Sequence, residues 1–346
     1  MLALGVGTAT ALVAVPLAAR VAWRTGFLDQ PVGYKKHGHP TPYLGGSAVV
    51  LAFVVTALAF GEGSDRFLPV VLGALGLWAV GTLDDRIGLS PQVRVGATIA
   101  AALVLWAGDL GWNVFPGSAL DVALTVVWVL GLVNAFNLMD NLDGASGSVA
   151  AAASTGIGIF ALVNDDPALA AVSFGLVGAC LGFLRFNLAR PARIFLGDGG
   201  SMPVGFIVAS TAIAAPRVED LGGAAVLVAA LIVGLVILDT TLVIVSRRRR
   251  GVTLLTGGRD HLTHRLLGIV GSAPRVAGTL AALQLGLCGL ALVAAAMGEN
   301  AVLWIAAGAV AAGIAAVAVL ERRMDRLGSE ELPAAAPNLA STPVGE

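Results

Sequence analysis

Residues 222–250 read GGAAVLVAALIVGLVILDTTLVIVSRRRR, and this stretch decides the class of fold. Its apolar part, 222–245, holds one charged side chain, Asp239, and four consecutive arginines follow it. An apolar run of this length can cross the hydrocarbon core of a bilayer as an α-helix. Arginines at the end of such a run are typical of the cytoplasmic side. The stretch therefore predicts a transmembrane helix that ends in the cytoplasm.

Similar runs recur along all 346 residues, of which 57% are hydrophobic and 12% charged. A soluble domain carries about 25% charged residues. No soluble domain and no long basic block that would bind nucleic acid is evident. We predict an all-α integral membrane protein with a single polytopic catalytic domain over 1–327 and a disordered tail over 328–346, rich in Pro, Ala and Ser. The eleven predicted spans are 2–22, 44–60, 68–83, 93–108, 118–134, 148–163, 168–184, 200–215, 222–245, 276–297 and 300–320.

The distribution of lysine and arginine indicates the orientation. With the N-terminus outside and the C-terminus in the cytoplasm, 19 of the 21 lysines and arginines fall on the cytoplasmic side, and only Arg66 and Arg217 do not. The first 23 residues lack a basic start, so we interpret them as a span of a plasma-membrane protein, not a cleaved signal peptide. The long polar segments all face the cytoplasm on this map, so the chemistry is predicted there.

Two cysteines, Cys180 and Cys288, lie inside apolar runs, and we interpret them as small core residues rather than a disulfide or a metal site.

Two polar clusters precede the fourth predicted span. In the first, basic residues from Lys35 to His39 lead into Pro42 and Gly45-Gly46, and alone this favours a flank with a turn. The second is the pair Asp84-Asp85 at the end of span three. Adjacent carboxylates near a membrane are costly, which makes a functional site and a solvated flank equally good interpretations.

Two further clusters combine carboxylates with amides or glycines. Asn134, Asn137 and Asp140 are spaced by three, so they would share a helix face, and Asp143-Gly144 continues the pattern. A helix cap does not account for this ladder, so we favour function. In 195–201, FLGDGGS, small residues would let backbone N–H groups approach an anion while Asp198 holds a metal ion. A plain turn into span eight is the alternative.

The last cluster runs from Asp260 to Arg265 and contains His261 and His264. Histidine and arginine together suit a phosphate. Zinc binding is the alternative, but no third ligand of the usual kind lies nearby. The intramembrane Asp239 is either functional or a structural hydrogen-bonding group.

Taken together and in order, these clusters over about residues 27–268 resemble the polyprenyl-phosphate N-acetylhexosamine-1-phosphate transferase family. The resemblance implies transfer of a sugar 1-phosphate, N-acetylglucosamine 1-phosphate foremost, from a UDP-sugar to a polyprenyl phosphate with release of UMP. This would be the first membrane step of a cell-wall or surface glycan. It implies Mg²⁺ or Mn²⁺ as the cofactor, contact with membrane lipid and no nucleic acid, and it leaves open a homodimer.

The same resemblance implies roles for individual residues. Asp84 and Asp85 should handle the acceptor phosphate, and Asp198 should be a metal ligand. The implied catalytic residues are Asp84, Asp85, Asp140, Asp143 and His261, and the implied substrate-binding residues are Lys36, Asn134, Asn137, His264 and Arg265.

Departures from the family pattern, Asn141 for Gly and Thr263 for a middle His, leave the sugar open. The phospho-N-acetylmuramoyl-pentapeptide transferases are the alternative within the family. A CDP-alcohol phosphotransferase is rejected, because Gly147-Ser148 follows where its signature continues with Arg and two Asp. A secondary transporter would place its polar groups at the bilayer midplane rather than at one face.

Overall fold

The computed structural model describes residues 1–30, 39–61, 65–216, 218–253, 258 and 260–330. These residues are almost entirely helical. The elements are α1 (Leu2–Thr25), β1 (Leu28–Asp29), β2 (Thr41–Pro42), α2 (Gly45–Phe60), α3 (Leu68–Ile87), α4 (Pro91–Ala107), α5 (Ala119–Met139), α6 (Ala145–Val163), α7 (Pro167–Asn187), α8 (Asp198–Ala214), α9 (Val218–Leu221), α10 (Ala224–Ile232), α11 (Gly234–Arg250), α12 (Leu262–Val270), α13 (Ala273–Met297) and α14 (Glu299–Glu330). The two strands pair antiparallel, with Leu28 opposite Pro42 and Asp29 opposite Thr41.

Each span predicted from the sequence overlaps a helix, and the ninth overlaps the pair α10 and α11. Seven of the described helices are long and apolar enough to cross a membrane, or eight if α10 and α11, bent by 81°, form one span. Helices α2, α4 and α8 are shorter, with 16, 17 and 17 residues. An all-α membrane protein is therefore what the structure supports, while the count of eleven stays a prediction.

Three differences from the prediction lie in the C-terminal third of the chain. Helix α11 continues through the arginines to Arg250, because arginine is a good helix former and its charge is favourable at a helix C-terminus. The residues between the predicted spans 222–245 and 276–297 contain the short helix α12. Helix α14 continues to Glu330, so residues 328–330 of the predicted tail are helical, and 331–346 lie outside the described residues.

Helices α6, α7 and α8 form the centre of the bundle and are buried on most sides. Their many Ala, Gly and Ser residues let neighbouring helices approach closely, which is how helices associate where lipid removes the hydrophobic driving force. By contrast, α14 keeps most of its apolar surface exposed. Cys180 and Cys288 are both free and buried, which confirms that they are core residues.

The bundle brings its polar connections to one end. The links from α3 to α4, from α5 to α6 and from α7 to α8 all join helices at that end, and α12 reaches it from the loop after α11. The predicted polar clusters therefore meet although up to about two hundred residues separate them in sequence.

Candidate active site

The two adjacent aspartates of α3 have different partners. Asp85 accepts hydrogen bonds from the backbone N–H groups of Asp198, at 2.9 Å, and Gly199, at 3.0 Å. These N–H groups lie in the first turn of α8, where no helical carbonyl is available to them. The Asp85 carboxylate therefore caps α8 from a neighbouring helix and fixes the start of that helix beside α3.

Asp84 faces a cation instead. The Nη1 atom of Arg94, in the first turn of α4, lies 3.2 Å from Oδ2 of Asp84 and 3.1 Å from Oδ2 of Asp198. The backbone N–H of Leu89 also donates to Asp84. One guanidinium thus bridges two carboxylates from different helices. The sequence analysis missed Arg94 as a site residue, because it was counted only among the basic flanks of the spans.

The side-chain amide of Asn137 is a further hydrogen-bond partner of Asp198. Its Nδ2 donates to Oδ1 of Asp198 at 2.8 Å and lies 3.0 Å from Oγ of Ser201. Asn134, one turn earlier in α5, is exposed, and its Nδ2 donates to the carbonyl of Leu130 in the same helix. The helix ends at Met139, so the predicted continuous face stops before Asp140, which sits at the C-cap.

Glycines let the loop before α8 dock against α2. The N–H groups of Gly45 and Gly46 donate to the carbonyls of Phe195 and Leu196 at 3.1 and 3.0 Å. A Cβ on Gly46 would lie 2.3 Å from the backbone of Gly200, closer than side chains come in folded proteins. The predicted Pro42 to Gly46 cluster therefore shapes the site by allowing two backbones to touch.

Asn187 connects the loop before α6 with the loop after α7. The Oδ1 of the buried Asn187 accepts from the N–H of Gly144 at 2.6 Å, and its Nδ2 donates to the carbonyl of Ile194 at 2.9 Å. This amide ties the loop that carries Asp143 to the loop that leads to Asp198. It escaped the sequence analysis because it follows an apolar span without any motif.

Asp84, Asp85, Asp140 and Asp198 form what we call the carboxylate cluster. Burial, followed by the negative charges of Asp198, Asp85 and Asp143, raises the pKa of Asp140 well above its usual range. Such crowding of carboxylates at a helix-bundle end favours binding of a cation, because a cation relieves their repulsion.

The cluster fits a hard divalent cation such as Mg²⁺. Its donors are carboxylate oxygens, which Mg²⁺ prefers, and Arg94 brings two of them, from Asp84 and Asp198, close together. Within the described ranges, no three His, Cys, Asp or Glu side chains converge into a complete metal-binding set. Mg²⁺ usually takes one or two carboxylates and fills its other positions with water and phosphate oxygens. The residues present therefore suit a cation that substrate phosphates help to hold.

The predicted histidine cluster is anchored by the intramembrane carboxylate. Oδ2 of the fully buried Asp239 lies 2.9 Å from Nδ1 of His261, and its Oδ1 accepts from the N–H of Leu262 at 2.6 Å. A carboxylate at Nδ1 favours a proton on that nitrogen and orients the ring. The hydroxyl of Thr263 bonds to Oδ1 of Asn141. Helix α12 therefore meets the loop of Asp140 and Asp143.

Arg265 is held in a buried ion pair. Its Nη2 lies 2.5 Å from Oε1 of Glu321 in α14 and 3.1 Å from Oγ of Ser246, while its Nε donates to the carbonyl of Asp260 at 3.0 Å. Nη1 is buried without a hydrogen-bond partner among the described residues. Arg265 thus holds α12 against α11 and α14, and one of its nitrogens has no bond within this scaffold.

The carboxylate of Asp260 pairs with two arginines of α11, Arg247 at 3.1 Å and Arg250. Burial raises the pKa of Asp260, but the two guanidinium groups outweigh it and hold the pKa below its usual value. The start of the histidine loop is therefore fastened to the end of α11 by charge.

The remaining predicted residues are placed as follows. His264 lies half-buried in the first turn of α12, and Asp143 lies in the loop before α6. Lys36, like Lys35 and His37, lies outside the described residues.

Comparison with known proteins connects this geometry to a family. Residues 67–215 match the family described as glycosyl transferase family 4. The chain is 34% identical over 289 residues to the decaprenyl-phosphate N-acetylglucosaminephosphotransferase of Mycolicibacterium smegmatis, covering 72% of this chain and 70% of that protein. It is 27% identical to the probable undecaprenyl-phosphate N-acetylglucosaminyl 1-phosphate transferase of Bacillus subtilis, with 75% and 74% covered. It is 32% identical to the phospho-N-acetylmuramoyl-pentapeptide-transferase of Synechococcus elongatus, with 62% and 66% covered.

Proposed function

Since the chain belongs to glycosyl transferase family 4, we propose that it transfers N-acetylglucosamine 1-phosphate from UDP-N-acetylglucosamine to a polyprenyl phosphate. An oxygen of the acceptor phosphate attacks the phosphorus that carries the sugar. The bond to the bridging oxygen breaks, and UMP leaves with that oxygen. One phosphoanhydride is broken and one is formed, so the equilibrium lies near unity.

The observation that carries the proposal is the carboxylate cluster with Arg94 at one end of the helix bundle. The reaction requires an anionic phosphate to approach an anionic diphosphate. Two unit charges about 4 Å apart repel by about 4 kcal/mol at an effective dielectric constant near 20. Cations and oriented hydrogen-bond donors must offset this repulsion. The carboxylates of the cluster are ligands for a metal cation, and the guanidinium of Arg94 is itself a cation.

Asp198 would hold the Mg²⁺, with Asp84 as the second candidate, because both share the same cationic partner. The bound ion would neutralise charge on the diphosphate as the bond to UMP breaks. Asn137 fixes the Asp198 carboxylate, and Asp85 fixes the helix that carries it. Asp84 is then the aspartate of the pair that we assign to the acceptor phosphate, because it faces Arg94 and does not cap α8.

We assign His261 to contact with the donor. Asp239 holds its Nδ1, so the other ring nitrogen is the one available to a substrate oxygen. His264 lies in the first turn of α12, and Nη1 of Arg265 has no hydrogen-bond partner among the described residues. We infer that these residues face the diphosphate or sugar of the donor, with Arg265 also holding α12 in position.

We further propose that the protein spans the plasma membrane eleven times, with the N-terminus outside and the site on the cytoplasmic face. The positive-inside distribution supports this orientation. The bend between α10 and α11 supports a sideways opening through which the isoprenoid tail stays in lipid, since each buried CH₂ is worth about 0.8 kcal/mol.

The test is UMP release by the purified protein in lipid nanodiscs. Undecaprenyl phosphate, a panel of UDP-sugars that includes UDP-N-acetylmuramoyl-pentapeptide, and Mg²⁺ are supplied. UMP release with UDP-N-acetylglucosamine is expected, and its loss with EDTA would establish the cation requirement. Turnover of the pentapeptide donor alone would assign the protein to peptidoglycan synthesis. No UMP with any donor would refute the proposal.

A further inference from the structure

The bend between α10 and α11 interrupts an apolar helical segment that is long enough to cross a membrane. A bend of 81° removes the regular backbone hydrogen bonds across it, and the freed groups have no water to bond with at that depth. Such a break persists only where the protein supplies other partners. The groups that hydrogen-bond to the backbone at this break therefore fix the orientation of α11 relative to α10.

One side chain supplies them. Gln284, fully buried in the middle of α13, donates from Nε2 to the carbonyl of Ile232 at 2.7 Å. Its Oε1 accepts from the N–H of Leu235 at 3.2 Å. Ile232 is the last residue of α10, and Leu235 is the second residue of α11. A single amide thus bonds to both sides of the break.

The amide is also the right group chemically. The carbonyl of Ile232 and the N–H of Leu235 lie on opposite sides of the break, and a primary amide presents NH₂ donors and a carbonyl acceptor in one plane. An aliphatic side chain of similar length would leave the N–H of Leu235 without this acceptor, and would leave the carbonyl of Ile232 with only the weak thiol donor of Cys288 at 3.7 Å. The sequence analysis did not single out Gln284, although a polar residue within the apolar run 276–297 was the available signal.

The direction of α11 matters because its second turn carries Asp239. Asp239 holds both the ring of His261 and the N–H of Leu262, so a rotation of α11 at the break would carry the start of α12 with it. We propose that Gln284 is a positioning residue that pins the break and thereby sets the place of His261. The consequence for turnover rests on the function proposed above, whereas the pinning of the break does not.

Three variants distinguish the effect of the hydrogen bonds made by the Gln284 amide from the effect of the size of its side chain. Gln284→Met keeps the length and removes both bonds, and we expect kcat to fall at least ten-fold. Gln284→Glu in its protonated form again offers a donor and an acceptor, and we expect it to stay within about three-fold of wild type. Leu283→Met, at the neighbouring exposed position of α13, is the matched control and should be unchanged.

A distance measurement tests the pinning without any turnover. Spin labels on Gly223→Cys and Thr241→Cys report the separation of α10 and α11, since the native Cys180 and Cys288 are buried. In nanodiscs, pulsed electron spin resonance should show one narrow distance distribution for wild type and Gln284→Glu, and a shifted or broadened one for Gln284→Met.

An unchanged distance distribution in Gln284→Met would overturn the pinning of the break, whatever the activity. A changed distribution with wild-type kcat would overturn the positioning of His261. Equal losses in Gln284→Met and Gln284→Glu would show that restoring a donor and an acceptor does not restore function, and would also overturn the proposal. A wild-type protein that releases no UMP would refute the proposed function and leave the distance test standing.

Discussion

Replacing each member of the Asp84-Asp85 pair by asparagine should give two different phenotypes. In Asp85→Asn, the remaining carbonyl oxygen can accept from only one of the two N–H groups of α8, and an NH₂ group faces the other. A hydrogen bond to a charged group is worth about 1.5–3 kcal/mol. The charge at a helix N-terminus adds about 0.3–1 kcal/mol. The expected loss of stability is therefore about 2–4 kcal/mol.

Asp84→Asn should be nearly neutral for stability. An oxygen remains for the N–H of Leu89, and Arg94, one third exposed, keeps its second partner, Asp198. Partly exposed ion pairs contribute about 0–1 kcal/mol. The effect should instead fall on turnover, by about 10²-fold or more, as for other groups that stabilise charge in a transition state.

Thermal unfolding in nanodiscs and a Mg²⁺ titration of UMP release measure both properties. We expect Asp85→Asn to lower Tm by several degrees and to raise the Mg²⁺ concentration for half-maximal rate, because Asp198 starts the helix that Asp85 caps. For Asp84→Asn we expect a low kcat at an unchanged Tm. Equal changes in Tm for the two variants would refute the assignment of Asp85 as the cap.

Three further changes test other parts of the site. Asp198→Asn should abolish turnover in a protein that still folds, and near-normal rates at ordinary Mg²⁺ would contradict its role as a ligand. Gly46→Ala should lower both Tm and turnover because its Cβ would meet the backbone of α8 at 2.3 Å, whereas Gly76→Ala, with open space around it, serves as the control that stays unchanged. Glu321→Gln should destabilise the protein by about 3–5 kcal/mol by leaving Arg265 buried without its counter-charge, and a Tm within a degree of wild type would argue against that pair.

The sequence predicted the elements of the site better than the contacts within it. Asn137 of the predicted ladder, the glycine loop around Asp198 and the pair Asp84-Asp85 do meet at one end of the bundle, whereas Asn134 bonds only within its own helix. Apolar length and the positive-inside rule sufficed for that, because they depend on composition alone. Which carboxylate caps α8 and which faces Arg94 depends on helix rotation, and an apolar helix gives no periodic signal for it.

The residues that the sequence analysis missed are the ones that act across long separations. Arg94 contacts a residue 104 positions away, and Glu321 contacts one 56 positions away. In the sequence, Arg94 cannot be distinguished from the other basic residues that flank the predicted spans. Gln284 and Glu321 carried a usable signal, since polar side chains within or next to apolar spans are costly and need partners. Naming those partners required the fold.

The pairing of Arg265 with Glu321 has a consequence for synthesis of the protein. The carboxylate cluster is complete once α8 has left the ribosome, but the histidine helix α12 lacks its last ionic contact until α14 has been inserted. Translation therefore supplies the residues of the carboxylate cluster before it supplies the last ionic partner of α12. Until α14 is in place, Arg265 lacks its counter-charge and α12 is held by the contacts of Asp239, Asn141 and Asp260. The donor site proposed above is therefore complete only when α14 has packed against α12.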